Sequence, residues 1–267
     1  MTRCGLIQLN DGGRIAYDEM GSGEAVILVH GITEDRTAWD EVTPRLARDY
    51  RVVRIDLPSH GGSSDMPEAN ALAFARALEE VARRLELAAP HLIGHSLGGI
   101  VVSLAAGTFP ATSVVNVDQP FFLGYLIELV RELEPRLRGA GFVDAMIEMM
   151  DRTGGRRLSP RVHEELCRYR ARGRQDFVMS LWTPLLKQSD RSVASLVEPL
   201  LAQIRCPYLS LLGREPGAEY RDWLRRTIPT ATIEVWEGEG HWLHRVDPER
   251  FATRVLEFLR AAPPAHA

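Results

Sequence analysis

Gly94-His95-Ser96-Leu97-Gly98 places a serine between two glycines, each two residues away, a spacing that suits a nucleophile. A serine hydroxyl is best presented at the tip of a sharp turn. Such a turn strains the serine backbone and brings the flanking chain so close that a Cβ at either glycine would collide with it. The chemistry in view is therefore attack by Ser96 on an electrophilic carbon.

A turn of this kind needs a strand before it and a helix after it. Leu92 and Ile93 supply the short apolar run, and Ile100, Leu104, Ala105 and Ala106 carry helix-like apolar content. Two further apolar runs, Ala25 to Val29 and Arg51 to Ile55, read as strands buried on both faces of a parallel sheet. The first ends in His30-Gly31-Ile32, and the second in Asp56-Leu57-Pro58-Ser59-His60-Gly61-Gly62-Ser63, a loop rich in turn formers. Ser113 to Val117 reads as another strand with Asp118 at its end. Leu6 to Glu19 forms a hairpin about Asn10-Asp11-Gly12-Gly13, and helical spacing marks Leu72 to Leu85, with a helix also expected from Trp39 to Leu46. Strands alternating with helices predict a parallel sheet whose ligand chemistry sits at the carboxyl ends of the strands, where His30, Ser96 and Asp118 all fall.

From residue 121 to 200 the strand signals vanish and helical patterns replace them: Phe122 to Leu133, Phe142 to Met150, Val162 to Tyr169 and Asp176 to Leu186. The α/β pattern resumes with strands at Pro207 to Gly213 and Thr232 to Trp236. Between them lies a helix near Tyr220 to Arg226, and Asp247-Pro248 opens a last helix. Residues 1–120 and 201–267 are expected to form the core, with 121–200 a helical cap inserted between two of its strands and 261–267 a frayed tail.

The 267 residues are 45% hydrophobic and 25% charged, enough for a sizeable core, and the net charge of −4 with scattered arginines gives no polyanion-binding signature. Nucleic acid is not an expected partner. Cys4, Cys167 and Cys206 lack paired spacing and read as buried free thiols. His60, His163 and His244 show no metal-ligand spacing, so no metal is expected. The absence of an apolar leader or a run of about 18 apolar residues predicts a cytoplasmic protein without a membrane partner.

His30-Gly31-Ile32, Asp56-Leu57-Pro58-Ser59-His60-Gly61 with Ser63, the Gly94 to Gly98 turn and Gly240-His241-Trp242 occur in an order that resembles the α/β-hydrolase family across almost the whole chain. The resemblance implies an α/β fold with a mainly parallel eight-stranded sheet flanked by helices. It further implies Ser96 as nucleophile, His241 as general base, and the backbone N–H groups of Ile32 and Leu97 as an oxyanion hole, with no cofactor. The family's usual acid position, three residues after Gly213, holds Pro216. Asp118 is then the preferred acid, because a minority of the family draws it from the end of the sixth strand and a strand end is rigid. Glu215 is the alternative. Phe121, Phe122, Tyr125, Met146, Met149, Met150, Trp182 and Trp242 are candidates to line an apolar pocket.

The implied function is a serine hydrolase that cleaves an ester or lactone of a small, largely apolar molecule through an acyl-enzyme. Ser96 stands where epoxide hydrolases and haloalkane dehalogenases need an aspartate. Carbon–carbon bond hydrolysis, cofactor-free haloperoxidation, thioester hydrolysis and non-catalytic small-molecule reception use the same constellation and stay open.

Overall fold

The computed structural model describes residues 2–66, 70–189 and 191–263. Its strands are β1 (Arg3–Gln8), β2 (Arg14–Met20), β3 (Ala25–Val29), β4 (Arg51–Ile55), β5 (His91–His95), β6 (Ser113–Val117), β7 (Tyr208–Leu212) and β8 (Ala231–Val235). They form one eight-stranded sheet in the order β1-β2-β4-β3-β5-β6-β7-β8. The β1–β2 and β2–β4 pairs are antiparallel, and every pairing from β4 through β3 to β8 is parallel.

The continuous apolar strands follow from this burial. Val26 and Leu28 pack in one core with Trp39, Leu46, Phe251 and Val255, while the alternate residues Ile27 and Val29 pack in the other with Phe74, Leu78, Val101 and Val102. Period-two side chains thus meet apolar cover on both faces.

The α-helices are α1 (Thr43–Leu46), α2 (Ala71–Arg84), α3 (Leu97–Ala106), α4 (Gly124–Leu137), α5 (Phe142–Arg152), α6 (Pro160–Arg172), α7 (Gln175–Trp182), α8 (Ser192–Leu201), α9 (Ala218–Thr227), α10 (Leu243–Val246) and α11 (Pro248–Ala261). Helix α2 starts where the Asn70 side chain accepts from Ala73 N at 2.9 Å, and α11 where Asp247 accepts from Arg250 N at 3.0 Å with proline in the first turn. Helices α4 to α8 lie between β6 and β7, and α4 packs on α5 and α7.

The single helix expected from Trp39 to Leu46 is instead a 3-10 turn, Arg36–Trp39, followed by α1. Helix α4 runs on to Leu137 through Pro135, and α7 stops at Trp182, before a short 3-10 turn at Leu185–Lys187. Helix α8 had no sequence counterpart, and it packs against α3. The thiols are free, but Cys4 is exposed on the edge strand and Cys167 and Cys206 are half-buried, which corrects the expectation of burial. Residues 264–267 of the expected tail lie outside the described residues. Among the described residues, no helix is long and apolar enough to cross a membrane.

Candidate active site

Ser96 joins β5 to α3 with φ 52° and ψ −121°, a conformation that side-chain-bearing residues avoid. A Cβ on Gly94 would lie 2.1 Å from the carbonyl oxygen of Gly98, and one on Gly98 would lie 2.3 Å from that of Val29. Both glycines are therefore demanded by contact as well as by chain direction. The strained turn is held by Ser96 N, which donates to Val117 O at 3.0 Å, and by Gly99 N, which donates back to Ser96 O at 2.7 Å.

Asp118 follows β6 and also has positive φ, at 50°. Its backbone N–H donates to Leu211 O at 2.8 Å, which ties it to β7. Its Oδ1 accepts from Gly213 N at 2.6 Å, and its Oδ2 stands 2.6 Å from Nδ1 of His241. Glu215, by contrast, is exposed and accepts from Arg221 at 2.8 and 2.5 Å and from Gly217 N at 3.1 Å. The two sequence candidates for the acid are thereby separated: Asp118 meets the imidazole and Glu215 meets a guanidinium. With Nδ1 donating to Asp118, the other ring nitrogen of His241 is the acceptor. Among the described residues Ser96 Oγ has no hydrogen-bond partner, and such contacts commonly tighten only when substrate is bound.

Leu97 is the first residue of α3, so its N–H has no intrahelical acceptor and lies at the positive end of the helix. Ile32 follows Gly31, whose Cβ position would be 3.3 Å from Ser96 Cβ. Two histidines fix this loop to the loop after β4. His30 accepts from Leu57 N at 3.0 Å through Nε2, and His60 accepts from Thr33 N at 3.2 Å through Nε2 while its Nδ1 donates to Pro58 O at 2.9 Å. His60 is thus a buried loop fastener. Burial, reinforced by the neighbouring His30, pushes its pKa down to about 3 and keeps Nε2 an acceptor.

A cavity of about 740 Å³ contains Ser96, Asp118, His241, Ile32 and Leu97 in its lining. Phe122, Tyr125, Met146, Met149, Met150, Trp182 and Trp242 line it too. Phe121 does not: it is buried in the core against Trp223, at 5.8 Å between ring centroids.

Three charged residues of the lining, Glu34, Arg170 and Arg214, had no sequence signal. Glu34, 2% exposed, accepts from Gly31 N at 3.2 Å and from Trp242 Nε1 at 2.9 Å, and its Oε2 lies 3.4 Å from His95 Nδ1. Burial opposes its ionisation, but His95 and Arg170 outweigh this and hold its carboxyl well below the usual range. His95 in turn donates through Nε2 to His241 O at 2.9 Å. Arg170, on α6, donates to Thr33 Oγ1 at 2.6 Å. His163 pairs with Asp151 at 2.8 Å, and His244 is wholly buried. Among the described residues, no three His, Cys, Asp or Glu side chains converge as metal ligands.

Comparison with known proteins places the fold. A segment of 101 residues is 38% identical to an uncharacterized protein of Mycobacterium tuberculosis and spans 29% of that protein's length. The 2-(acetamidomethylene)succinate hydrolase of Mesorhizobium japonicum is 27% identical, with 94% of each chain covered. A solved thermophilic esterase from Thermogutta terrifontis superposes with a TM-score of 0.77 at 25% identity, over 97% of this chain and 99% of its own. The enol-lactonase of Burkholderia xenovorans, at 17% identity, shares the fold with a TM-score of 0.77 over 96% of this chain and all of its own. Residues 26–254 match the model of the alpha/beta hydrolase family, and the chain belongs to that family.

Proposed function

We propose that the protein is a serine hydrolase that cleaves an ester or lactone of a small, largely apolar molecule through an acyl-enzyme formed on Ser96. The observation that carries this reading is the 2.6 Å contact of His241 Nδ1 with Asp118, in a cavity that also holds Ser96 at the tip of its strained turn. The esterase activity named for the Thermogutta terrifontis neighbour is in keeping with it, and residues 121–200 would act as the cap over the cavity.

In the proposed cycle, His241 Nε2 takes the Ser96 hydroxyl proton as Oγ attacks the carbonyl carbon. The negative charge that develops on the carbonyl oxygen is met by the N–H groups of Ile32 and Leu97, each worth about 3 kcal/mol to the transition state. His241 then passes the proton to the departing alkoxide, and the acyl group remains on Ser96. Water, deprotonated by the same nitrogen, attacks the acyl carbon, releases the acid and restores the serine.

The test is turnover of a panel of aryl esters and lactones, with a fluorophosphonate to trap the nucleophile. Wild type should hydrolyse part of the panel and carry the label on the peptide containing Ser96, and Ser96→Ala should lose the label and at least about 10⁴-fold in kcat. Full activity in Ser96→Ala would overturn the reading. A receptor would instead show ligand-dependent stabilisation with at most one turnover.

A further inference from the structure

We propose that Arg170 receives a carboxylate of the substrate, so that the ester or lactone cleaved at Ser96 belongs to a molecule that is apolar over most of its length and carries one carboxylate group. This inference rests on the hydrolase reading above and deepens it.

Arg170 is 5% exposed, and it lines the same cavity as Ser96 and His241. A guanidinium has five N–H donors and no acceptor. Among the described residues one group of them is taken up, through the bond from Nη1 to Thr33 Oγ1 at 2.6 Å. The nearest carboxylate, Glu34, is 3.9 Å from Nη2, beyond hydrogen-bond length. Its oxygens are already engaged by Gly31 N–H and Trp242 Nε1–H.

The other buried arginines are treated differently. Arg54 donates to both oxygens of Asp18, at 2.7 and 2.8 Å, and also to Asp40. Arg245 donates to Glu165 at 2.9 Å and to the carbonyl of Ala38 at 3.3 Å. Only in Arg170, of these three, is no carboxylate within hydrogen-bond length.

The remaining acids of the cavity wall cannot supply one. Asp118 is held by Gly213 N–H and His241, and Glu215 by Arg221 and Gly217 N–H. A buried guanidinium with unspent donors facing an apolar cavity is costly unless a ligand satisfies it.

The planar fork of Arg170 fits a carboxylate through two parallel N–H to O bonds. The Trp242 ring, whose centroid lies 5.8 Å from the guanidinium carbon, walls one side. The charge on Glu34 balances part of the positive field, so one negative charge is accommodated and a phosphate dianion is disfavoured. Much of the rest of the wall, with Met146, Met149, Met150, Leu126 and Val197, is apolar and suits an apolar skeleton.

The experiment compares mono-p-nitrophenyl glutarate and adipate with the same compounds bearing a methyl ester in place of the free acid. Wild type should prefer the free acid by about 100-fold in kcat/KM, mostly through KM. In Arg170→Gln that ratio should fall to within about threefold of unity, and in Arg170→Lys, which keeps the charge but not the fork, it should fall part of the way. A ratio that is high in wild type and unchanged in Arg170→Gln would overturn the proposal, since a role only in holding α6 to Thr33 lowers both substrates alike. If Arg170→Gln fails to fold, the wild-type preference and the Arg170→Lys ratio decide by the same criterion. Wild type that labels at Ser96 but shows no preference refutes the assignment of Arg170 alone. Absence of both labelling and turnover refutes the hydrolase reading beneath it.

Discussion

Asp118 binds two loops with one carboxylate: Oδ1 takes the Gly213 N–H that ends β7, and Oδ2 takes His241. In Asp118→Asn the side chain keeps its shape but cannot accept at both positions, so an amide N–H is turned either on Gly213 or on the ring. Steady-state kinetics should show kcat reduced by about 10⁴-fold, the size of effect seen when a triad acid is made neutral. Glu215→Gln removes an exposed pair with Arg221 and should keep kcat within about twofold; the reverse ranking would move the acid to Glu215. The candidate trio Ser96, His241 and Asp118 could be nominated from the sequence, Ser96 through its glycine pair and His241 and Asp118 through what the family resemblance implies for a loop motif and a strand end. Glu34 and Arg170 could not, since they are 136 positions apart, by subtraction of their numbers, in unremarkable charged stretches, and only packing of α6 over the loop after β3 makes them neighbours.

The elements between β6 and β7 reach the site through backbone as well as side chains. Thr153, just beyond α5, accepts from His241 N at 2.9 Å. Next to it Gly154 has φ 117°, and a Cβ there would lie 2.6 Å from Gly240 Cα and 3.0 Å from His241 N. The end of α5 and the loop that carries His241 therefore meet glycine on glycine, and a methyl group must push one of them away. Gly154→Ala should lower kcat by about 10- to 100-fold through displacement of the imaginary line from His241 to Ser96, with a stability loss of about 1–3 kcal/mol from the backbone conformation. Measuring kcat and thermal unfolding together checks this; lost stability with kcat unchanged would show that the loop absorbs the contact. Periodicity revealed α4 to α7 as helices but gave no information on this contact, because helix pairing is set by long-range packing. Helix α8 escaped for a local reason: Pro199 stands inside it, and proline signals a helix break.

At the scale of the whole molecule, folding buries four histidines whose pKa values are all lowered, His60, His91, His95 and His244, with desolvation the largest cause in each. In the unfolded chain such rings bind a proton near pH 6.5, whereas folded His60 does so only near pH 3. Between those values unfolding takes up a proton, so the His60 contribution is full above about pH 6.5 and falls as pH drops, by about 1.4 kcal/mol per pH unit, and the other three act in the same direction. Glu34 acts in the same direction lower down. Its carboxyl is held well below the ordinary value of 4.5, so its contribution is present above that value and is lost as pH falls through the folded pKa. Urea unfolding at pH 7.5, 6.0, 5.0 and 4.0 should therefore show a plateau followed by a steep decline. His60→Gln gives up the fastening of Thr33 and should be less stable at pH 7.5, yet its decline between pH 6 and 4 should be shallower by one proton's worth of slope. An identical slope would mean that His60 gains its proton in the folded protein, which would require the bond from Thr33 N to break without unfolding and would leave the loop carrying Ile32 free to move in mild acid.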